Sequence, residues 1–227
     1  MNMPAWQIAL LAPFFLLITT YLAFKGLAWR FGAKIGYLGG FVLYWVVWGL
    51  IFPLVLLGPQ ALLARFSAIS PFGDPWWLGA ICVLAPPLIA LVNVFPRLLP
   101  NATTRLILFS ALLAVVNGTL EEVLWRGVFT SLFINVWLGI LYPSLFFALW
   151  QFVPQSLFPH RGPGGRTELA MRAAILGLLW GWAASHTGTI LWVALAHIVV
   201  DFSALGWRMY FPDQGSRPEG FSETLRV

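Results

Sequence analysis

The sequence predicts an all-α fold, a polytopic transmembrane helical bundle of about seven spans. Of the 227 residues, 60% are hydrophobic and only 9% are charged, whereas about a quarter of the residues in a soluble domain are charged. Aromatic residues make up 16% of the chain and include 13 Trp, which is typical of rings at membrane–water interfaces. Apolar runs of about 20 residues, the length that a spanning helix needs, recur along the whole chain.

The predicted spans follow one another with short connections. They cover about Trp6–Trp29, Ile35–Leu57, Trp76–Phe95, a fourth from Thr103 past Arg126, Val136–Phe152, Leu169–Ser185 and Ile190–Trp207. Proline, glycine and basic residues between 153 and 168 predict the longest polar loop. We divide this single membrane domain into N-terminal helices (1–100), a core that carries the polar residues (101–207) and a polar C-terminal tail (208–227).

The basic residues lie mainly in the links after spans one, three and five and in the tail. By the positive-inside rule, this pattern predicts a cytoplasmic C-terminus. The first apolar run lacks a preceding basic region, so we expect a retained helix, in keeping with an integral protein of a bacterial inner membrane. The net charge of +5 forms no basic stripe, which excludes nucleic acid as a partner. The single cysteine, Cys82, excludes an internal disulfide and a thiolate metal cluster.

Three ionisable residues occur within six positions of the fourth span: Glu121, Glu122 and Arg126. Such residues cost at least about 2.5 kcal/mol each near the bilayer centre and are candidates for function. Glu122 and Arg126 are one helical turn apart and are expected to pair, whereas Glu121 lies about 100° around the helix. Glu121 is therefore expected to face a cavity as a general base. The alternative is a structural ion network of all three residues.

Two further polar groups occur in the later spans. His197 and Asp201 are four residues apart on the last span and share one face. Asp201 can hold the imidazole in one tautomer, or both side chains can face a shared ligand or water; a hydrogen-bonded pair that joins two helices is the structural alternative. Gln151 lies near the end of the fifth span. The sequence Asn117-Gly-Thr119 matches the glycosylation pattern but lies within the fourth span, so we interpret this match as chance.

Together these residues resemble the motifs of the CPBP family, the CAAX protease and bacteriocin-processing group of intramembrane endopeptidases, also called Abi. The matching motifs, in order, are Glu-Glu-x-x-x-Arg at 121–126, Phe147-Ala-Leu-Trp-Gln151 and His197-x-x-x-Asp201. The resemblance covers about Arg105 to Asp201. It implies a helical bundle that encloses a polar intramembrane cavity, with Glu121 as the base that activates water. It also implies that His197 and Asp201 bind a metal or stabilise the oxyanion.

One departure concerns the second motif, where Gln151 replaces the expected histidine. Glutamine cannot accept a proton at neutral pH and is a poor zinc ligand. A zinc site would therefore depend on Glu121, His197 and Asp201, with Glu122 as an alternative ligand. A metal-free mechanism, in which Glu121 activates water and Gln151 orients it, is equally allowed.

Three functions are compatible with this pattern. The leading hypothesis is an intramembrane endopeptidase that cleaves a membrane-associated peptide or protein, including one with a C-terminal lipidated tail. In this hypothesis, His197 and Asp201 polarise the substrate. The second is a degenerate relative that acts as a membrane binding or immunity protein, with Gln151 marking the loss of chemistry. The third is a transporter or proton-coupled channel, which needs a polar path that spans one to three do not offer.

Overall fold

The computed structural model describes residues 3–67, 71–160 and 164–210, and over these residues the chain is helical without any strand. The predicted all-α class is therefore confirmed. In chain order the helices are α1 (Ala5–Phe31), α2 (Ala33–Leu57), α3 (Pro59–Ala64), α4 (Trp76–Asn101), α5 (Thr104–Leu132), α6 (Trp137–Ser156), α7 (Gly165–Thr187) and α8 (Leu191–Ala204).

Within the described residues, five helices are long and apolar enough to cross a membrane, namely α1, α2, α4, α5 and α6. The chain is thus an integral membrane protein, but the predicted count of about seven spans is not confirmed. Helix α8 has 14 residues, or about 21 Å, which is shorter than a hydrocarbon core of about 30 Å. Helices α7 and α8 nevertheless pack against the spanning helices. Helix α7 lies along α6, α8 lies along α5, and both contact α4.

The predicted loop at 153–168 is shorter in the structure, because α7 begins at Gly165. The Glu168 carboxylate accepts a hydrogen bond from the Gly164 backbone N–H at 3.0 Å and pairs with Arg172 one turn later. An acidic side chain that satisfies a free N–H in the first turn stabilises a helix start. Most of the predicted tail, residues 211–227, lies outside the described residues.

Helices α5 and α8 cross closely at Gly118. A methyl group at this position would lie 2.8 Å from the backbone nitrogen of Ile198, a separation that real side chains do not tolerate. Glycine therefore allows the two backbones to approach, as small residues do at many membrane helix crossings. This crossing brings the polar residues of α5 next to those of α8.

Wide π-helical turns interrupt two of the helices near this crossing. They span Tyr44–Ile51 in α2 and Val123–Val128 in α5, and the two segments pack against each other. Trp125 Nε1 donates a hydrogen bond to the Tyr44 hydroxyl at 3.0 Å across this contact. Such turns are rare and occur often at functional sites. Here they flank the polar cluster described below.

Candidate active site

Five of the six predicted site residues lie together where α5 crosses α8. Helix α5 contributes Glu121, Glu122 and Arg126, and α8 contributes His197 and Asp201. The first three and His197 have at most 4% of their surface exposed. The Asp201 side chain keeps 29% of its surface exposed. The cluster is therefore closed on most sides and open towards Asp201.

Glu122 joins the two helices through one carboxylate oxygen. Its Oε1 accepts a hydrogen bond from Arg126 Nη1 at 2.8 Å and lies 2.7 Å from His197 Nδ1. The predicted pairing of Glu122 with Arg126 is confirmed. Because a carboxylate oxygen is an acceptor, Nδ1 is assigned as the protonated nitrogen of His197. This contact fixes the ring and turns Nε2 towards the remaining carboxylates.

Two carboxylates lie beside His197 Nε2 at the same distance. Glu121 Oε2 and Asp201 Oδ1 are each 3.5 Å from this nitrogen, which is longer than a good direct hydrogen bond. Polar groups at such separations commonly share a water or ligand atom. Of the two arrangements that the sequence allowed for His197 and Asp201, the geometry favours the shared ligand. Glu122, rather than Asp201, makes the contact that holds the imidazole.

Aromatic rings cover the buried side of the cluster. The Arg126 guanidinium carbon lies 4.7 Å from the Phe147 ring centre and 5.6 Å from that of Trp180. The Trp180 and His197 rings are 4.7 Å apart. Cations over aromatic faces are attracted by the ring electrons, and the attraction grows when water is excluded. Phe147, the first residue of the second motif, therefore belongs to the site.

Three buried polar atoms of this region have no protein partner among the described residues. They are Glu122 Oε2, Arg126 Nη2 and Trp180 Nε1. A buried polar group without a hydrogen bond costs about 1–3 kcal/mol. These atoms are therefore available to an internal water or to polar groups of a substrate.

Gln151, the last residue of the second motif, follows the regular α-helical part of α6. Its backbone carbonyl accepts a hydrogen bond from Gln155 Nε2 at 3.0 Å. The preceding residue, Trp150, reaches the site instead: its Nε1 donates to Glu121 Oε1 at 3.0 Å. The water-orienting role of Gln151 stays a prediction.

The sequence interpretation missed a hydrogen-bond chain that leads to Asp201. Asn117 Nδ2 donates to Asp201 Oδ2 at 2.8 Å, and Trp45 Nε1 donates to Asn117 Oδ1 at 2.7 Å. Asn117 lies one helical turn before Glu121 and so on the same face of α5. Asn117 is a polar residue within an apolar span, and such residues are candidates for function. The sequence analysis treated it only as part of a chance glycosylation match and so overlooked this signal.

Among the described residues, no group of three His, Cys, Asp or Glu side chains is arranged to hold a metal ion. The predicted zinc ligands Glu121, His197 and Asp201 are neighbours, and their hydrogen bonds to Trp150, Glu122 and Asn117 respectively use other atoms than the Oε2, Nε2 and Oδ1 that face one another. The zinc site stays a prediction for direct metal analysis.

Comparison with known families identifies the part of the chain that carries this geometry. A family model described as Type II CAAX prenyl endopeptidase Rce1-like matches residues 103–203. No curated protein and no solved structure matches the chain. The matched residues include every charged member of the cluster, and the match confirms the resemblance to intramembrane CPBP proteases. Residues 103–203, which carry the candidate active site, are therefore similar to the Rce1-like type II CAAX prenyl endopeptidase family.

Proposed function

We propose that this protein is an intramembrane endopeptidase in which Glu121 activates the water that cleaves a peptide bond near the membrane surface. One observation carries the proposal: Glu121 Oε2 and Asp201 Oδ1 both lie 3.5 Å from His197 Nε2. These three atoms face one another within the segment that matches the protease family. A general base and a potential hydrogen-bond donor are thereby held next to a common position, as hydrolysis requires.

In the proposed reaction, Glu121 Oε2 accepts a proton from water while the water oxygen bonds to the scissile carbonyl carbon. Protonated His197 donates a hydrogen bond from its Nε2–H to the carbonyl oxygen, on which negative charge develops, and keeps this proton throughout. When the carbon–nitrogen bond breaks, the amine leaves with the proton that Glu121 holds. The products are a carboxylic acid and an amine, and Glu121 returns to its starting state.

The other charged residues support this chemistry without contacting the reacting atoms. Glu122 fixes His197 through Nδ1, and Arg126 balances the Glu122 charge. Asp201 lies beside Nε2 and favours the protonated imidazole. Because Asp201 is the most exposed member, the substrate is expected to enter from its side.

The proposed substrate is a membrane-associated peptide or protein with a C-terminal lipidated tail. The description of the matching family, which names prenyl endopeptidases, supports this class. The proposed setting is a bacterial inner membrane with a cytoplasmic C-terminus. The basic links after spans one, three and five support this orientation.

A degenerate relative that acts as a membrane binding or immunity protein is the second candidate. Gln151 favours it, because this residue stands where the family motif has a histidine. General acid–base catalysis by a positioned side chain contributes about 10²–10⁴-fold to a rate. A chain that lost this group without compensation would retain the fold and little activity.

Cleavage assays in lipid nanodiscs test the proposal. Wild type, Glu121→Ala, Glu121→Gln and His197→Ala are compared on farnesylated CAAX peptides and on a mixed peptide library, with product masses measured. Glu168→Gln, which changes a partly exposed carboxylate outside the site, is the matched control. Cleavage by wild type and the control, but not by the three site variants, is the expected result.

Two other outcomes would overturn the proposal. Cleavage that persists in Glu121→Gln would remove Glu121 as the base. An inactive wild type that gains cleavage with Gln151→His would identify a protease fold that has lost its chemistry and would favour the binding protein.

A further inference from the structure

We infer that Trp150 is the residue that positions Glu121, by binding one carboxylate oxygen through its indole N–H and leaving the other oxygen to face His197. The catalytic meaning of this inference rests on the proposed function. The hydrogen bond itself does not, and it can be tested in an inactive protein.

The two oxygens of Glu121 have different partners. Oε1 accepts the hydrogen bond from Trp150 Nε1 at 3.0 Å, and Oε2 faces His197 Nε2 at 3.5 Å. Glu121 is 3% exposed and Trp150 is 1% exposed, so bulk water does not replace this donor. The indole therefore determines which oxygen is left for chemistry.

Aromatic packing fixes the direction of the Trp150 N–H group. The Trp150 ring centre lies 4.1 Å from that of Tyr44, 5.8 Å from that of Phe24 and 6.0 Å from that of Phe41. Tyr44 is itself held by the hydrogen bond from Trp125 Nε1. A side chain enclosed by rings on α1 and α2 has little rotamer freedom. The donor is thus held in place before a substrate binds.

An indole suits this task because it donates one hydrogen bond and accepts none. It cannot compete with Glu121 for the proton of water, and a donor stabilises the ionised carboxylate that a general base requires. Trp150 is the neighbour of Gln151, the residue in place of the motif histidine. The indole therefore gives this chain a way to orient its glutamate without that histidine.

Indole NMR tests the hydrogen bond independently of activity. The protein is labelled with ¹⁵N-tryptophan in detergent, and the Trp150 resonance is assigned by its loss in Trp150→Phe, or in Trp150→Tyr where the first variant does not fold. Replacing the carboxylate by a weaker acceptor in Glu121→Gln is expected to shift the Trp150 indole proton upfield. Glu168→Gln is expected to leave it unchanged. An unshifted Trp150 resonance in Glu121→Gln would overturn the inference.

Kinetics test the positioning role in an active enzyme. Trp150→Phe keeps an aromatic ring but removes the donor, and we expect kcat to fall about 10- to 100-fold while KM stays within about twofold. Trp182→Phe, whose ring stacks on His186 away from the cluster, is the matched control. Wild-type kcat in folded Trp150→Phe, or an equal loss in Trp182→Phe, would refute the positioning role. An inactive wild type with the expected NMR shift would refute only the proposed function.

Discussion

Among the described residues, two Glu–Arg pairs have the same four-residue spacing, and they should differ sharply in their effect on stability. Glu122 and Arg126 are fully enclosed, with 0% and 3% of their side chains exposed, whereas Glu168 and Arg172 expose 20% and 62%. Removing one partner of a buried pair typically costs about 3–5 kcal/mol, because the other charge stays buried and unpaired. Glu122→Gln also weakens the contact with His197. We therefore expect Glu122→Gln to lower the free energy of unfolding by an amount in this range, and Glu168→Gln to lower it much less.

The free energy of unfolding can be measured by SDS titration of the protein in mixed micelles, followed by tryptophan fluorescence. Arg126→Met and the double variant with Glu122→Gln complete a double-mutant cycle. The double variant is expected to be more stable than the sum of the single losses predicts, by about 1 kcal/mol or more, because it leaves no unpaired charge. Equal losses for Glu122→Gln and Glu168→Gln, or strictly additive losses in the cycle, would refute the buried pair.

Three other features of the site can be tested by substitution or chelation. Asn117→Ala removes the donor to Asp201 and should lower kcat/KM about tenfold, and Asn117→Asp should lower it further because like charges then face each other; wild-type kcat/KM in Asn117→Asp would contradict the contact. Gly118→Ala should destabilise the protein by about 1–3 kcal/mol, since the methyl group meets Ile198, whereas Gly26→Ala has open space around it; equal unfolding free energies for the two variants would contradict the close crossing. Cleavage should survive 1,10-phenanthroline if the mechanism is metal-free, and loss that added zinc reverses would show a metal requirement.

The features that the sequence predicted well are local ones. Runs of about 20 apolar residues predicted α1, α2, α4, α5 and α6. A four-residue spacing on one helix predicted the Glu122–Arg126 pair. The span-length rule and the four-residue spacing rule depend only on the geometry of a single helix. Neither requires knowledge of how the helices pack together.

The last span was predicted too long because its residues stay mainly apolar as far as Trp207. In the structure, α8 ends at Ala204, and Leu205 adopts a left-handed conformation with φ of 41°. A non-glycine residue in this region is uncommon, so composition gave no reason to expect the end here. Leu205 is fully buried, and tertiary packing of its side chain offsets the backbone cost.

The arrangement of the site depends on contacts between distant parts of the chain. The Glu122–His197 contact joins residues 75 positions apart, and no periodicity could rank it above a His197–Asp201 pair. Asn117 could have been found, since it is a polar residue on the Glu121 face of the helix. Trp45 and Trp150 could not, because the chain has 13 tryptophans and most membrane tryptophans have an interfacial or packing role.

The N-terminal helices belong to the site although the matching family segment begins at residue 103. Helix α2 supplies Trp45, which holds Asn117 and through it Asp201. It also supplies Tyr44, whose ring packs on the Trp150 indole that binds Glu121. Glu121, the proposed base, and Asp201, which lies beside the proposed hydrogen-bond donor His197, are thus both oriented with the help of residues outside the matched segment. The motifs supply the reacting groups, and α2 constrains their geometry. The predicted division of the chain at residue 100 therefore separates Tyr44 and Trp45 from Glu121 and Asp201, the two carboxylates that they help to orient.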